Sequence, residues 1–279
     1  MAAGLLVYDL LLLAFAVGLW GGAGWVGARV HAALAPFGPW LAIPAALLAG
    51  LLAAILAVGA LGLLTPRPDA GRVELMKGRR FWAWLIRSLY RRVLLPGPLK
   101  PIVFTFNTLR FLALRALGAR VAFSANMSTD VELLDPPLLE VGPGATIGAR
   151  CMIAGHYVDA GKLRLEPVRV EKGALLAAEV LVGPGVVVGE GARVLAGVKL
   201  GPGTRVGAGA VIEAGVRFEG QSVVAPGVRV PAGTNVLRGV AWTEGGEQGG
   251  VDAEEGGAGR VARAGGDDED EVTDAGALA

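Results

Sequence analysis

Cysteine occurs once, at Cys151, so the chain can build neither an internal disulfide framework nor a zinc knuckle. Histidine is almost as scarce, with only His31 and His156, and a zinc site made of several imidazoles is excluded with it. Acidic residues are nearly missing from residues 67–120. There Arg67, Arg72, Lys77, Arg79, Arg80, Arg87, Arg91, Arg92, Lys100, Arg110, Arg115 and Arg120 face only Asp69 and Glu74. Bases are nearly missing after Gly239, where Arg260 and Arg263 alone oppose a run that includes Asp267-Asp268-Glu269-Asp270-Glu271. The formal net charge of +1 therefore hides two opposed regions. No aromatic platform or nucleic-acid motif accompanies the basic one, which excludes nucleic acid as its partner and leaves an anionic membrane surface. The acidic, glycine-rich segment, residues 240–279, lacks apolar periodicity and is expected to be disordered.

What the chain has in excess is apolar sequence, with 53% hydrophobic residues and a mean hydropathy of +0.54. The excess is concentrated in residues 5–26 and 41–64. As a helix the second run would span ~36 Å, enough for a bilayer core of ~30 Å. Residues 27–40, with Arg29, His31, Pro36 and Pro39, read as a turn between two spans. The first run lacks a basic leader and is followed by a second run, which excludes a cleaved signal peptide. Residues 1–66 are thus expected to be a transmembrane hairpin. The basic residues that follow place the N-terminus and the rest of the chain in the cytoplasm, a multi-pass arrangement in a cell membrane. Within residues 67–120, residues 79–95 and 102–117 carry apolar side chains at helical spacing among arginines. They are expected to be helices lying in the headgroup region or docking on the end of the following domain.

From Val170 onward every sixth residue is apolar and branched or aromatic: Val170, Leu176, Val182, Val188, Val194, Leu200, Val206, Ile212, Phe218, Val224, Val230, Val236. Glycine stands three positions after most of them, from Gly173 to Gly239. A period of six fits neither a helix nor an alternating strand. It fits a parallel β-helix in which short strands stack coil on coil and glycine turns the corners. Val141, Ile147 and Ile153 keep the same spacing but a different phase. The slip falls in residues 154–167, expected to be a surface loop thrown out of the coil, and such loops often carry function. His156 begins it. Residues 121–239 form the β-helix domain in this reading, and Cys151, beside the ladder, is a core residue.

At this point the sequence resembles the hexapeptide-repeat acyltransferases of the left-handed parallel β-helix type. Two stretches carry the likeness beyond the repeat. One is the lead-in helix Leu109-Arg110-Phe111-Leu112-Ala113-Leu114-Arg115-Ala116-Leu117-Gly118-Ala119-Arg120-Val121. The other is His156 with the return Leu165-Glu166-Pro167-Val168-Arg169-Val170. The likeness is nearest to membrane-linked members that also occur at the carboxyl end of polyamino-acid synthetases. It implies an all-β left-handed fold behind the helical hairpin and interfacial helices, a homotrimer, and coenzyme A lying between two β-helices. It implies His156 as general base, with Asp159, Glu166 or Glu179 as candidates to orient the imidazole. Lys172, Lys199, Arg205 and Arg217 are then the candidates to meet the phosphates of coenzyme A.

The resemblance implies a membrane-anchored O- or N-acyltransferase that uses acyl-coenzyme A, with acetyl-coenzyme A the expected donor and no metal. The anchor points to an envelope glycan, a lipid-linked precursor or a peptide as acceptor. The sequence departs from the family pattern at Glu171, where glycine is expected, and in the alanine-rich Leu176-Ala177-Ala178-Glu179. Those departures favour a second reading, a catalytically inactive membrane-tethered β-helix scaffold. A γ-class carbonic anhydrase would need more histidines, and a nucleotidyltransferase would need an added α/β domain that no stretch offers.

Overall fold

The structure, a computed structural model, describes residues 2–248. The remainder of the acidic segment, residues 249–279, lies outside the described residues. The repeat folds as a parallel β-solenoid of three faces. One face runs from Arg120–Val121 to Ala241–Thr243 and the other two from Asn126–Met127 and Glu132–Leu133. Each strand is two or three residues long. Its second residue points inward, and all twelve ladder residues from Val170 to Val236 are buried. The residues two positions before them, such as Ala174, Val180, Ala192 and Ala210, fill the rest of the interior. Successive coils stack in register: Val170 pairs with Val188 and Val188 with Val206.

The corners explain the glycines. Gly173, Gly191 and Gly209 have φ of 64°, 65° and 65°, a left-handed conformation that costs a side-chain-bearing residue roughly 1–2 kcal/mol. Where the repeat lacks its corner glycine, the backbone keeps the same shape. Arg150, Glu179 and Gln221 occupy such corners at φ 55°, 63° and 55°.

The phase slip is an insertion. Each coil after Val170 advances by 18 residues, Val170 to Val188, whereas Val141 pairs with Val170, 29 residues on. The 11 residues of difference are not an irregular loop, as expected, but a β-hairpin of His156–Asp159 and Lys162–Leu165. Strand Gly71–Glu74 adds antiparallel to its outer edge. The hairpin exists because Leu163 and Leu165 alternate inward and pack with Phe81 and Leu138 in a small second core. The solenoid also begins earlier than the periodicity from Val141 suggests. Val121, Met127 and Leu133 form a buried first coil. It ends later as well. Ala241–Thr243 continues the first face, with Trp242 beside Val224, and Gly246–Gln248 folds back on it antiparallel. The domain boundary expected at residue 239 thus falls within the sheet.

Before the solenoid stand five helices: α1 (Ala2–Leu34), α2 (Pro39–Leu64), α3 (Gly78–Leu94), α4 (Leu99–Thr105) and α5 (Asn107–Ala116). Helices α1 and α2 are long and apolar enough to cross a membrane. They form a tight hairpin. A Cβ on Gly27 would lie 2.9 Å from Ala46 O, and one on Gly50 2.9 Å from Ala23 O, so small residues set the approach. The expected loop over residues 27–40 is mostly helix. Nothing before Pro36 breaks α1, and only Ala35–Phe37 and Gly38 make the turn.

Helices α3, α4 and α5 cap the first coil, and one continuous core joins the hairpin to the solenoid. Two helices stand where one was expected over residues 102–117. The chain is extended at Phe106, and buried Arg110 donates to Ala125 O, Met127 O and Phe104 O, pinning α5 to the coil below. On α3, Arg87 is 4% exposed and donates to Gly62 O, Thr65 O and Pro66 O, which closes the carbonyl end of α2.

Candidate functional site

The hairpin inserted after Ile153 brings His156 back against the end of the first coil. Leu133 pairs with Ile153, so Asp135 and Gly155, each two residues on, become neighbours. The Asp135 side chain is 2% exposed. Its Oδ2 accepts from Gly155 N–H at 2.9 Å and meets His156 Nδ1 at 2.6 Å. Its Oδ1 accepts from the Trp84 indole N–H at 2.7 Å. Gly155 must be glycine for this packing. A Cβ there would lie 2.8 Å from Leu138 Cβ and 3.3 Å from Asp135 Cβ.

Backbone and indole N–H groups can only donate. Both oxygens of Asp135 are therefore acceptors, and Nδ1 of His156 is the donor in its contact with Oδ2. The neutral imidazole then carries its lone pair on Nε2. The His156 side chain is 25% exposed, and its ring lies 4.9 Å, centroid to centroid, from that of Trp84. This arrangement can accept a proton at Nε2 and stabilise the resulting imidazolium through Asp135.

Asp135 takes the place for which Asp159, Glu166 and Glu179 were candidates; none of the three hydrogen-bonds the ring. Asp159 is exposed at the far end of its strand, opposite Lys162. Glu166 closes the hairpin through its N–H to Gly155 O, and its carboxylate covers Gly185. Glu179 occupies a left-handed corner and pairs with Arg150.

The candidate cations do not form one cluster. Lys199 and Arg217 stand side by side in register on one face. Arg205 lies on another, between Val187 and Val223, and Lys172 pairs with Glu190 at 3.1 Å. Cys151 is fully buried, with Sγ 2.9 Å from Ala177 O, and burial pushes its thiol pKa up. Among the described residues no group of His, Cys, Asp and Glu could hold a metal ion.

Asp135 and Trp84 were not singled out in the sequence. Extending the ladder back through Leu133 would have placed Asp135 beside Gly155. Trp84, on a helix rich in arginine and tryptophan, has no comparable signal.

Residues 179–214 match the family model described as bacterial transferase hexapeptide (six repeats). No curated protein matches the sequence. Among solved structures, the chain is similar to GDP-perosamine N-acetyltransferase of Caulobacter crescentus, solved with CoA and GDP-perosamine. The identity is 17% over 55% of this chain and 74% of that one, with a TM-score of 0.36. The acetyltransferase domain of PglB from Neisseria gonorrhoeae is similar at 16% identity over 56% of this chain and 75% of that one, with a TM-score of 0.38. A maltose O-acetyltransferase from Clostridium difficile is similar at 14% identity over 50% and 73%, with a TM-score of 0.29. At these identities the likeness concerns the solenoid. By its repeat and its stacked three-faced coils, this chain is a hexapeptide-repeat protein of the bacterial transferase type.

Proposed function

We propose that this chain is a membrane-anchored acyltransferase that moves an acyl group, acetyl first, from coenzyme A to a hydroxyl or amine. The observation that carries this reading is the buried Asp135 holding His156 through Nδ1 at 2.6 Å, which leaves Nε2 free to act as base. Nε2 takes the proton from the acceptor as its oxygen or nitrogen attacks the thioester carbonyl carbon. The tetrahedral oxyanion collapses, the C–S bond breaks, and the imidazolium returns the proton to the departing thiolate. Nothing is oxidised or reduced.

Lys199 and Arg217, adjacent on one face, are the cations best placed as a pair to meet phosphates. The groove they need is the one between two solenoids of a homotrimer. Helices α1 and α2 would anchor the protein in the inner membrane, with the N-terminus, the solenoid and residues 240–279 in the cytoplasm where acyl-coenzyme A is made. An envelope glycan, a lipid-linked precursor or a peptide would then be the acceptor.

A second reading, an inactive tethered scaffold, draws on Glu171 and on Ala177-Ala178 where the repeat departs from its pattern. The test is thiol release from acetyl-coenzyme A by the full chain in detergent, with amino sugars, sugar nucleotides and polyprenyl-linked sugars as acceptors. Transfer that falls ~10²–10⁴-fold in His156→Ala supports the enzyme. Equal thiol release by wild type and His156→Ala supports the scaffold.

A further inference from the structure

We infer that Trp84 is a positioning residue for the imidazole, and that helix α3 ties the geometry of the base to the apolar hairpin; this rests on the acyl-transfer reading of the Asp135–His156 pair. Oδ2 of Asp135 already serves two groups, Gly155 N–H and His156. Oδ1 has one partner among the described residues, the Trp84 indole, at 2.7 Å. A buried carboxylate oxygen that loses its partner must find another donor or turn toward one. Trp84 thus decides which way the carboxylate plane faces, and with it which imidazole nitrogen holds the proton. The same indole packs against the imidazole ring, limiting its tilt. The indole is suited to both tasks, because it is a flat apolar wall with a single donor.

Trp84 owes its own place to α3, which is held on both flanks. One turn before it, Phe81 is buried against Leu163 and Leu165 of the hairpin that carries His156. Three residues after it, Arg87 holds the last carbonyls of α2. Farther along, Tyr90 meets Phe15 of α1 at 5.3 Å and hydrogen-bonds Thr65 at 2.8 Å, while Trp20 donates to Val93 O at 3.0 Å. A displacement of the apolar hairpin is therefore transmitted along a rigid helix to the donor on Oδ1. No residue of the solenoid repeat lies in that path.

The chain has only two histidines, so the test can be read directly. The full chain, labelled with 15N-histidine in detergent micelles, is titrated while the ring nitrogens are followed by NMR. The wild type should show His156 as a single neutral tautomer protonated on Nδ1. Trp84→Phe keeps the ring packing and removes the donor; it should show a mixture of both tautomers. Phe81→Leu, which loosens the same small core without touching Asp135, should lower the melting temperature and leave the single tautomer intact. A single Nδ1–H tautomer in Trp84→Phe would overturn the assignment to Trp84, and so would a mixture in Phe81→Leu. Asp135→Asn separates the underlying reading. If that variant keeps the wild-type tautomer, the Asp135–His156 pair fails, whatever Trp84 does. Should Trp84→Phe not fold, the Trp84 indole resonance of the wild type carries the same question. It should move in step with the titration of His156, and an indole signal that stays still would overturn the proposal.

Discussion

Both oxygens of Asp135 are held by N–H groups, which leaves His156 one way to carry its proton. Asp135→Asn puts an amide where three donors converge, so at least one pair of N–H groups must face each other. The variant should fold while transfer drops about 10²–10⁴-fold, and the KM for acetyl-coenzyme A should stay near that of the wild type. A KM that rises with unchanged kcat would show that Asp135 shapes binding instead. Cys151 offers an independent check on the same coil. Its thiol is buried and its pKa raised by desolvation. Alkylation by iodoacetamide at neutral pH should therefore be slow in the native protein and become fast in denaturant. Rapid native labelling would mean that this coil opens. His156 was legible as a residue because the period of six fails just before it. Asp135 was not, because its carboxylate comes from the previous coil and the ladder was followed back only to Val141. Trp84 lay further out of reach, since its donor arrives from a helix whose docking no sequence period records.

The strands and corners obey simpler rules, and the repeat announced them. The ladder was readable because every coil buries the same position, so one pattern recurs twelve times. Val194→Ala should cost roughly 1–3 kcal/mol of stability, seen as a lower melting temperature, with little change in rate per folded molecule. The corners allow a cleaner separation of backbone from packing. A Cβ on Gly191 meets nothing within 4 Å, yet φ there is 65°. Gly191→Ala should therefore cost about 1–2 kcal/mol for backbone conformation alone. Gln221, at φ 55° in a corner where the repeat elsewhere has glycine, gives the converse. Gln221→Gly should raise stability by about 0.5–1 kcal/mol after the glycine's own entropy is counted. Melting curves for the two variants should move in opposite directions. The inserted segment escaped a similar reading. Leu163 and Leu165 alternate as a strand should, but strand Gly71–Glu74 on the hairpin's outer edge comes from a distant, basic stretch.

For the molecule as a whole, the expectation of two spans followed by surface helices became five helices sharing a core with the first coil. Helix α3 did not have to choose between headgroup and cap. It buries Phe81, Ala83, Tyr90, Val93 and Leu94, and leaves Trp82 46% exposed. The proposed orientation is open to labelling from outside intact cells. Ala35→Cys, in the turn between α1 and α2, should react with an impermeant maleimide, and Ala214→Cys, exposed on the solenoid, should not. The reverse pattern would overturn the orientation, and the buried Cys151 adds no background.

The position of the insertion also sets how far a substrate must travel. His156 leaves the column at the end of the second coil, beside the helical cap, and after Val168–Val170 the first face adds four further parallel strands. At ~4.8 Å per coil those strands extend roughly 19 Å beyond the imidazole. The reactive nitrogen therefore sits at the foot of a tower, next to its anchor. A molecule tethered to lipid by a short leash could reach it where it emerges from the bilayer. One arriving from solution would have to come down the length of the shaft.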